Sequence, residues 1–357
     1  MAGKGPGAMR LEHRVAPSLA GSVLWGAGAM AATVLVISAL VLAADADPLT
    51  VFGLVLKGAI GSQFALLETL TRATPLIFTG LAVAVAFRAR LWNIGAEAQL
   101  YVGAILTVVL GTGAVVLPSV GLIPLIMLAA MLGGALMLLG PALLKTRFGV
   151  DEVVTTLLLN FVVLLFVSLL LEGPLKDPMG MGWPQSRRVI AEAQLPRIIS
   201  GKRLHYGFVL ALVSAAIVWV IVKKTTLGYE MRAVGHNAEA ARFAGIPVGR
   251  VLAKTALLSG GLAALAGFSE VAGLKGNLTL DLSSGYGYSG IVVAMLAALN
   301  PLGVVASAIF VAGIFVGADA MSRAANVPSY IADVMVATAL LTTVTAMMLM
   351  RYRVRWK

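Results

Sequence analysis

The sequence contains no cysteine, which excludes disulfide staples, thiolate nucleophiles and cysteine-held metal centres. Its three histidines, His13, His205 and His236, lie in unrelated polar stretches and form neither a metal-ligand set nor a proton relay. Charge is scarce: Asp, Glu, Lys and Arg make up 12% of 357 residues. No GxxxxGK[ST] phosphate-binding motif occurs, and the polar ends are too short to hold a nucleotide-binding domain. No nucleophile–base grouping marks a catalytic centre. These absences predict a chain that is not an enzyme and binds no metal or cofactor of its own.

The chain is rich in apolar length. It is 59% hydrophobic, in runs such as Ala31–Ala44 and Leu122–Leu144. Lipid cannot satisfy backbone polar groups, so such runs span as helices unless they close a barrel, and they lack the alternating polar face of a barrel. The prediction is an all-α polytopic transmembrane bundle of about ten spans. These fall near residues 19–43, 73–87, 95–114, 121–143, 153–171, 206–222, 252–272, 286–299, 302–318 and 330–350. The first run is longer than a signal-peptide core and lacks a cleavage flank, so it reads as a retained span. Asn300-Pro301 separates either two short spans or the halves of one broken helix. Residues 50–69, with Lys57, Gln63 and Glu68 among apolar positions, read as an interfacial helix.

A formal charge of +11 would suggest nucleic acid as partner of a soluble protein. Here the basic residues flank apolar runs, where they set topology and meet lipid headgroups, so nucleic acid is not expected. Ten spans put both termini on one side. The Lys/Arg of the tails 1–18 and 351–357, and of residues 88–90, 145–147 and 223–254, place that side in the cytoplasm, N-in/C-in. The transmembrane domain then covers 19–350. The loop 172–205, with Pro174, Pro184, Pro196 and six basic residues, faces outward, either as a cap or docking surface or as an ordinary solvated loop.

The cytoplasmic segment 223–250 is the most patterned polar stretch. Ala238–Ala244 are good helix formers, punctuated around by Gly228, Gly235, Gly245 and Pro247. Asn237 is placed to cap that helix and Glu239 to occupy its first turn. Ala240, Ala241 and Ala244 give a small-residue surface that suits either a plain loop helix or one that docks a protein.

The stretch Gly228-Tyr229-Glu230-Met231-Arg232-Ala233-Val234-Gly235, followed by Asn237, Ala240-Ala241 and Gly245, resembles the coupling segment of ABC-importer permeases in the simple-sugar and nucleoside branch, within the branched-chain-amino-acid-like permease family. Four further blocks are similar to that family, in family order: Trp92-Asn93-Ile94-Gly95-Ala96-Glu97-Ala98-Gln99; Asp151-Glu152-Val153-Val154-Thr155-Thr156 with Asn160; Ser284–Ile291; and Asn300-Pro301-Leu302-Gly303. The resemblance covers residues 70–350 and is greatest to nucleoside importer permeases. Trp92 stands where phenylalanine is usual and Ala98 where glycine is common, which bears on local packing and not on the fold.

The resemblance implies a bacterial inner-membrane permease that works with a separate ATPase, which carries ATP and Mg. It also implies a second, homologous permease in a heterodimer and an extracytoplasmic solute-binding protein. Gly228, Glu230, Arg232, Gly235, Asn237, Ala240, Ala241 and Gly245 would engage the ATPase. Simple sugars are the alternative cargo to nucleosides, and an ion-coupled secondary transporter is the alternative mechanism.

For the pathway, Asn93 is expected to cap the next helix, with Glu97 and Gln99 stabilising or gating the bundle through an inter-helix polar network or through solute contact. Thr155 accompanies Thr156 and Asn160, and the last two share a helix face at i,i+4. Asp151 and Glu152 read as N-terminal helix anchors. Tyr286 and Tyr288, two residues apart, cannot share a helix face. They are either interfacial anchors or part of an irregular segment beside the pathway. Ser269 and Glu270 interrupt an apolar run near its outer end, a position that dictates neither burial nor protonation.

Overall fold

The computed structural model describes residues 9–13, 19–43, 47–325 and 352–356, with scattered positions between 334 and 345. Among the described residues the chain is helical apart from one two-stranded ribbon, and it divides into two units, residues 1–62 with 313–357 and residues 63–312.

The first unit holds β1 (Met9–His13), α1 (Leu19–Ala43), α2 (Pro48–Ile60) and the later part of α12 (Pro301–Ala325). In the ribbon, β1 pairs antiparallel with β2 (Tyr352–Trp356). Asp47 starts α2 by accepting from the N–H of Thr50 at 2.9 Å, and Pro48 follows where its missing N–H costs nothing. Ile37, Val41, Val51, Ala318 and Met321 make the core. Gly58 and Gly317 let α2 and α12 meet backbone to backbone. The interfacial helix expected over 50–69 is divided by Gly61-Ser62: its first half is α2, and Gln63–Thr69 opens the next helix.

The second unit is built around α3 (Gln63–Arg88) and α10 (Val248–Ser269). Around them stand α4 (Ala96–Gly111), α5 (Ser119–Phe148), α6 (Glu152–Glu172), α7 (Gly207–Lys224) and α11 (Tyr286–Leu296). The apolar stretch of α3 is 83% buried and that of α6 only 22%. That contrast makes α3 an inner helix and leaves Phe161, Val162, Leu165, Phe166 and Leu169 on an outward apolar face. Small residues bring the inner helices close. A side chain at Gly260 would strike the Gly134 backbone of α5, and one at Gly267 the Leu100 backbone of α4.

Among the described residues six helices are long and apolar enough to cross a membrane, or seven if α1 and α2, bent by 114°, form one broken span. The ten expected spans are not matched one for one. Residues 95–114 and 286–299 yield helices of 16 and 11 residues, about 24 and 16 Å long against a hydrocarbon core of about 30 Å. The last expected span, 330–350, lies largely outside the described residues. The break after α11 falls at Ala298 and Leu299, both left-handed (φ 48° and 59°), before Asn300 accepts from the Leu302 N–H at 3.2 Å to start α12. α3 also begins ten residues earlier than the predicted 73–87, which puts Arg72 inside the helix.

Residues 172–205, expected as a loop, fold as a cap. Ser186 N–H donates to Leu278 O, Val189 N–H to Gly276 O, Ile190 N–H to Gly111 O and Leu195 N–H to Ala272 O, at 2.8 to 2.9 Å. At its end His205 is 1% exposed and its Nδ1 accepts from the Gly207 N–H at 3.1 Å. Burial, reinforced by Arg197, pushes its pKa down to about 4. A depressed histidine contributes nothing above the unfolded value of 6.5. Below it the unfolded chain binds a proton that the folded chain refuses, so stability falls between pH 6.5 and 4, by about 3 kcal/mol in all. Thermal unfolding of the detergent-solubilised protein between pH 7 and 4 is expected to show this loss, and His205→Asn to flatten it. Equal slopes for the two proteins would remove His205 as the cause.

Candidate functional site: two short helices meeting at Glu97

The chain leaves α3 at Arg88, turns through Arg90 (φ 51°) and re-enters the bundle before α4 begins. Trp92 stands edge-on to Phe87, with ring centroids 4.6 Å apart, and is 42% exposed. Asn93 is fully buried. Its amide donates to Gln99 Oε1 (2.9 Å) and Ser259 Oγ (3.1 Å), and its carbonyl accepts from Gln99 Nε2 (2.9 Å) and the Gly95 N–H (3.1 Å). Ser259 lies about 16 Å along α10 from its first residue, Val248, so this loop reaches the interior of the bundle.

Asn93 does not cap α4. The N-cap is Gly95, which has no side chain to do so, and Asn93 bonds the N–H two residues on because its other capacity is spent on Gln99 and Ser259. The reciprocal amide pair with Gln99, together with the bonds to Ser259 and Gly95, uses both donors and both acceptor sites of Asn93. The residue therefore locks the turn by which α4 starts inside the bundle.

Glu97 sits in the first turn of α4 and is 4% exposed. Its Oε2 accepts from the Gly287 N–H at 2.7 Å, and the Ser283 hydroxyl also bonds its carboxylate. Gly287 lies in the first turn of α11, and a Cβ there would overlap the Glu97 backbone. Two short helices thus begin side by side within the bundle, and one carboxylate accompanies both of their positive ends. This electrostatic match explains how an acidic group survives there.

Asn160, fully buried on α6, clamps the same junction. It accepts from the Ala98 N–H (2.9 Å) and donates to Ile94 O and the Tyr288 hydroxyl (both 3.0 Å). Thr156 Oγ1 accepts from the Ile94 N–H at 3.3 Å and donates to Glu152 O at 2.6 Å. Thr155 bonds back only to the Asp151 and Glu152 carbonyls of its own helix. Asp151 caps α6 at the Val153 N–H (2.7 Å), while Glu152 pairs with Lys145 and accepts from the Trp92 N–H at 3.2 Å. Tyr286 is buried and Tyr288 is 40% exposed, so the two tyrosines do face different ways.

Tyr101, Ser259 and Arg72 were not singled out by the sequence. Tyr101 donates to Leu280 O at 2.6 Å and accepts from the Ser283 N–H at 3.4 Å, which ties α4 to the entry of α11. Arg72 carried a legible signal, a cation in an otherwise apolar run.

At the end where α3 finishes, α7 is followed by α8 (Thr226–His236) and α9 (Ala238–Phe243). Gly228 and Gly235 do not interrupt α8 but serve as contact points, since a Cβ would overlap Val222 O at the first and Arg88 O at the second. Arg232 donates to Val222 O and so satisfies the C-terminal turn of α7. Glu230 is part-buried on α8. Asn237 caps α9 as its position predicts, accepting from the Glu239 and Ala240 N–H groups at 3.0 Å. Gly245 (φ 83°) ends it with the Ile246 N–H on Ala241 O. Ala241 is buried, whereas Ala240 is exposed and Phe243 is 95% exposed. The capped α9 thus presents a bare aromatic ring next to α8, which itself rests on the end of α3 through Gly235.

The family described as branched-chain amino acid transport system, permease component, matches residues 65–351. The chain belongs to this family. It is 37% identical over 325 residues to the glucose ABC transporter permease protein TsgB13 of Haloferax volcanii, covering 87% of this chain and 84% of that one. It is 34% identical over 339 residues to the guanosine ABC transporter permease protein NupP of Bacillus subtilis, covering 93% of each. It is 31% identical over 273 residues to the nucleoside ABC transporter permease protein NupB of Lactococcus lactis subsp. cremoris, covering 74% and 75%. The chain is a multi-pass permease of an ABC importer, a class that works with an ATPase and a solute-binding protein and is not itself enzymatic. In this permease, α8 lies against the end of α3, whose return leg carries the Glu97 junction.

Proposed function

We propose that this permease forms one half of the translocation pathway of an ATP-driven nucleoside importer in the bacterial inner membrane. The observation that carries the pathway reading is the meeting of α4 and α11 at Glu97, two helix starts and a carboxylate inside the bundle. Discontinuous helices beginning at mid-bundle are how transporters present backbone N–H groups to a polar solute. Tyr288, half-open and hydrogen-bonded to Asn160, is the aromatic face of that junction. NupP and NupB, matched over most of their length, support nucleoside as the cargo. TsgB13, with higher identity, supports a simple sugar as the second reading.

The ATPase, carrying ATP and Mg, docks on α8 and α9. Gly228, Glu230, Arg232, Gly235, Asn237, Ala240, Ala241 and Gly245 shape that surface. A homologous permease completes a heterodimer, and the binding protein delivers solute to the outer cap. Ten spans with N-in/C-in topology fit the basic flanks, and the β1–β2 ribbon agrees in holding the two tails together. ATP-driven alternation between outward and inward access then moves the solute.

The test is uptake by the complex purified with its ATPase and reconstituted in proteoliposomes. Nucleoside uptake that needs ATP and the binding protein is expected. Uptake of sugar without nucleoside would replace the cargo, and uptake by the permease alone during ATP depletion would overturn the mechanism.

A further inference from the structure

A second polar cluster lies nearer the outer end of the bundle, and the Glu97 junction does not use it. Glu270 opens a π-helical turn, Glu270–Lys275, that extends α10. It is 1% exposed, and among the described residues its Oε1 has no hydrogen-bond partner. The charges of Lys275, Arg72 and Arg203 act on it. Tyr286, the first residue of α11, is 6% exposed. Its hydroxyl hydrogen-bonds with Arg72 and Ser284, and Glu270 is a charged neighbour. Arg203 reaches in from the outer cap, paired with Glu68 of α3 at 3.0 Å. α3, the extension of α10, α11 and the cap therefore converge on a carboxylate oxygen that no described residue satisfies. π-Turns of this kind recur at functional positions because the extra residue re-aims a side chain, and a buried polar atom left open calls for a ligand or another explanation.

We infer that Arg72, Glu270 and Tyr286 form a recognition site for the hydroxyl-bearing ring of the solute, on the outer side of the Glu97 junction. Glu270 Oε1 accepts from a ring hydroxyl in a charge-assisted bond, and the Arg72 guanidinium and Tyr286 hydroxyl donate to ring oxygens. A bound cation fits less well. Arg72 stands against it, and among the described residues no group of three His, Cys, Asp or Glu is assembled to hold one. An anionic solute would meet the Glu270 carboxylate. The chemistry left is a neutral, hydroxyl-rich molecule, which both a nucleoside, through its ribose, and a simple sugar provide. The inference rests on the cargo reading above and narrows it to the sugar moiety.

The experiment uses the complete importer in proteoliposomes with saturating binding protein. The protein is loaded with guanosine or with 2′,3′-dideoxyguanosine, and loading of each is measured separately. Saturation removes the binding protein's own preference from the comparison. Wild type is expected to move guanosine at least about tenfold faster than the dideoxy compound, the loss expected when a hydroxyl's bond to a charged group is removed. Glu270→Gln and Tyr286→Phe are each expected to bring that ratio close to one. A structural role alone would lower both rates in proportion, so an unchanged ratio in both variants would overturn the inference, as would a wild-type ratio near one. If guanosine is not moved at all and glucose is, the same comparison is made with glucose and its deoxy forms. Failure to move either solute removes the cargo reading itself, an outcome separate from the ratio.

Discussion

Gly235→Ala is expected to disconnect ATP hydrolysis from uptake. α8 rests on the end of α3 through this glycine, where a methyl group would overlap the Arg88 carbonyl oxygen. Backbone cannot yield as a flexible side chain does, so the two helices must part, at an overpacking cost of about 1–3 kcal/mol. Arg88 is itself anchored, donating to Leu299 O just after α11, so the contact joins the α8 segment, proposed above to dock the ATPase, to the far end of the helix that begins at the Glu97 junction. A penalty of that size shifts a two-state equilibrium about 5- to 150-fold. In reconstituted complexes the expected result is ATP hydrolysis that persists while uptake falls by at least about tenfold. Wild-type uptake would show that the α8–α3 contact does not carry the stroke.

Asn160→Ala is expected to be the most damaging single change at the junction. It removes the acceptor of the Ala98 N–H and the donors to Ile94 O and the Tyr288 hydroxyl, and leaves buried backbone groups open. Each unsatisfied buried group costs about 1–3 kcal/mol, so the start of α4 loses several kcal/mol of fixation. Uptake is expected to drop by two orders of magnitude or more, with a lowered thermal unfolding midpoint. Thr155→Ala, one turn away and bonded only within its own helix, provides the contrast and is expected to stay near wild type. Equal damage from both substitutions would mean that the clamp is not specific to Asn160.

The two predictions differ in how far they were legible beforehand. Asn160, Glu97 and Gln99 stand out in the sequence because amides and carboxylates inside apolar runs must find partners or water. Their partners did not stand out. Asn93 looks like a cap by position, yet Gly95 holds that place because Asn93 is spent on Gln99 and on Ser259, which lies 166 positions along the chain. α8 was hidden by Gly228 and Gly235, residues with poor intrinsic helix propensity that are favoured here because two backbones must touch. Arg72 was placed outside its span because an apolar window excludes a cation, although the helix continues through it.

By itself the sequence determined the helical membrane class and the α9 cap at Asn237. Each follows from composition or from spacing within a few residues: apolar run length, and an acceptor before its N–H groups. Only the tertiary structure decided that α4 and α11 are short and start together at Glu97, that residues 172–205 form a docked cap, and that Glu270 is buried beside Arg72 and Tyr286. The physical reason is that a buried polar group is satisfied by whatever the packing brings near it. In this permease those partners lie tens to hundreds of residues away, beyond the reach of any local pattern.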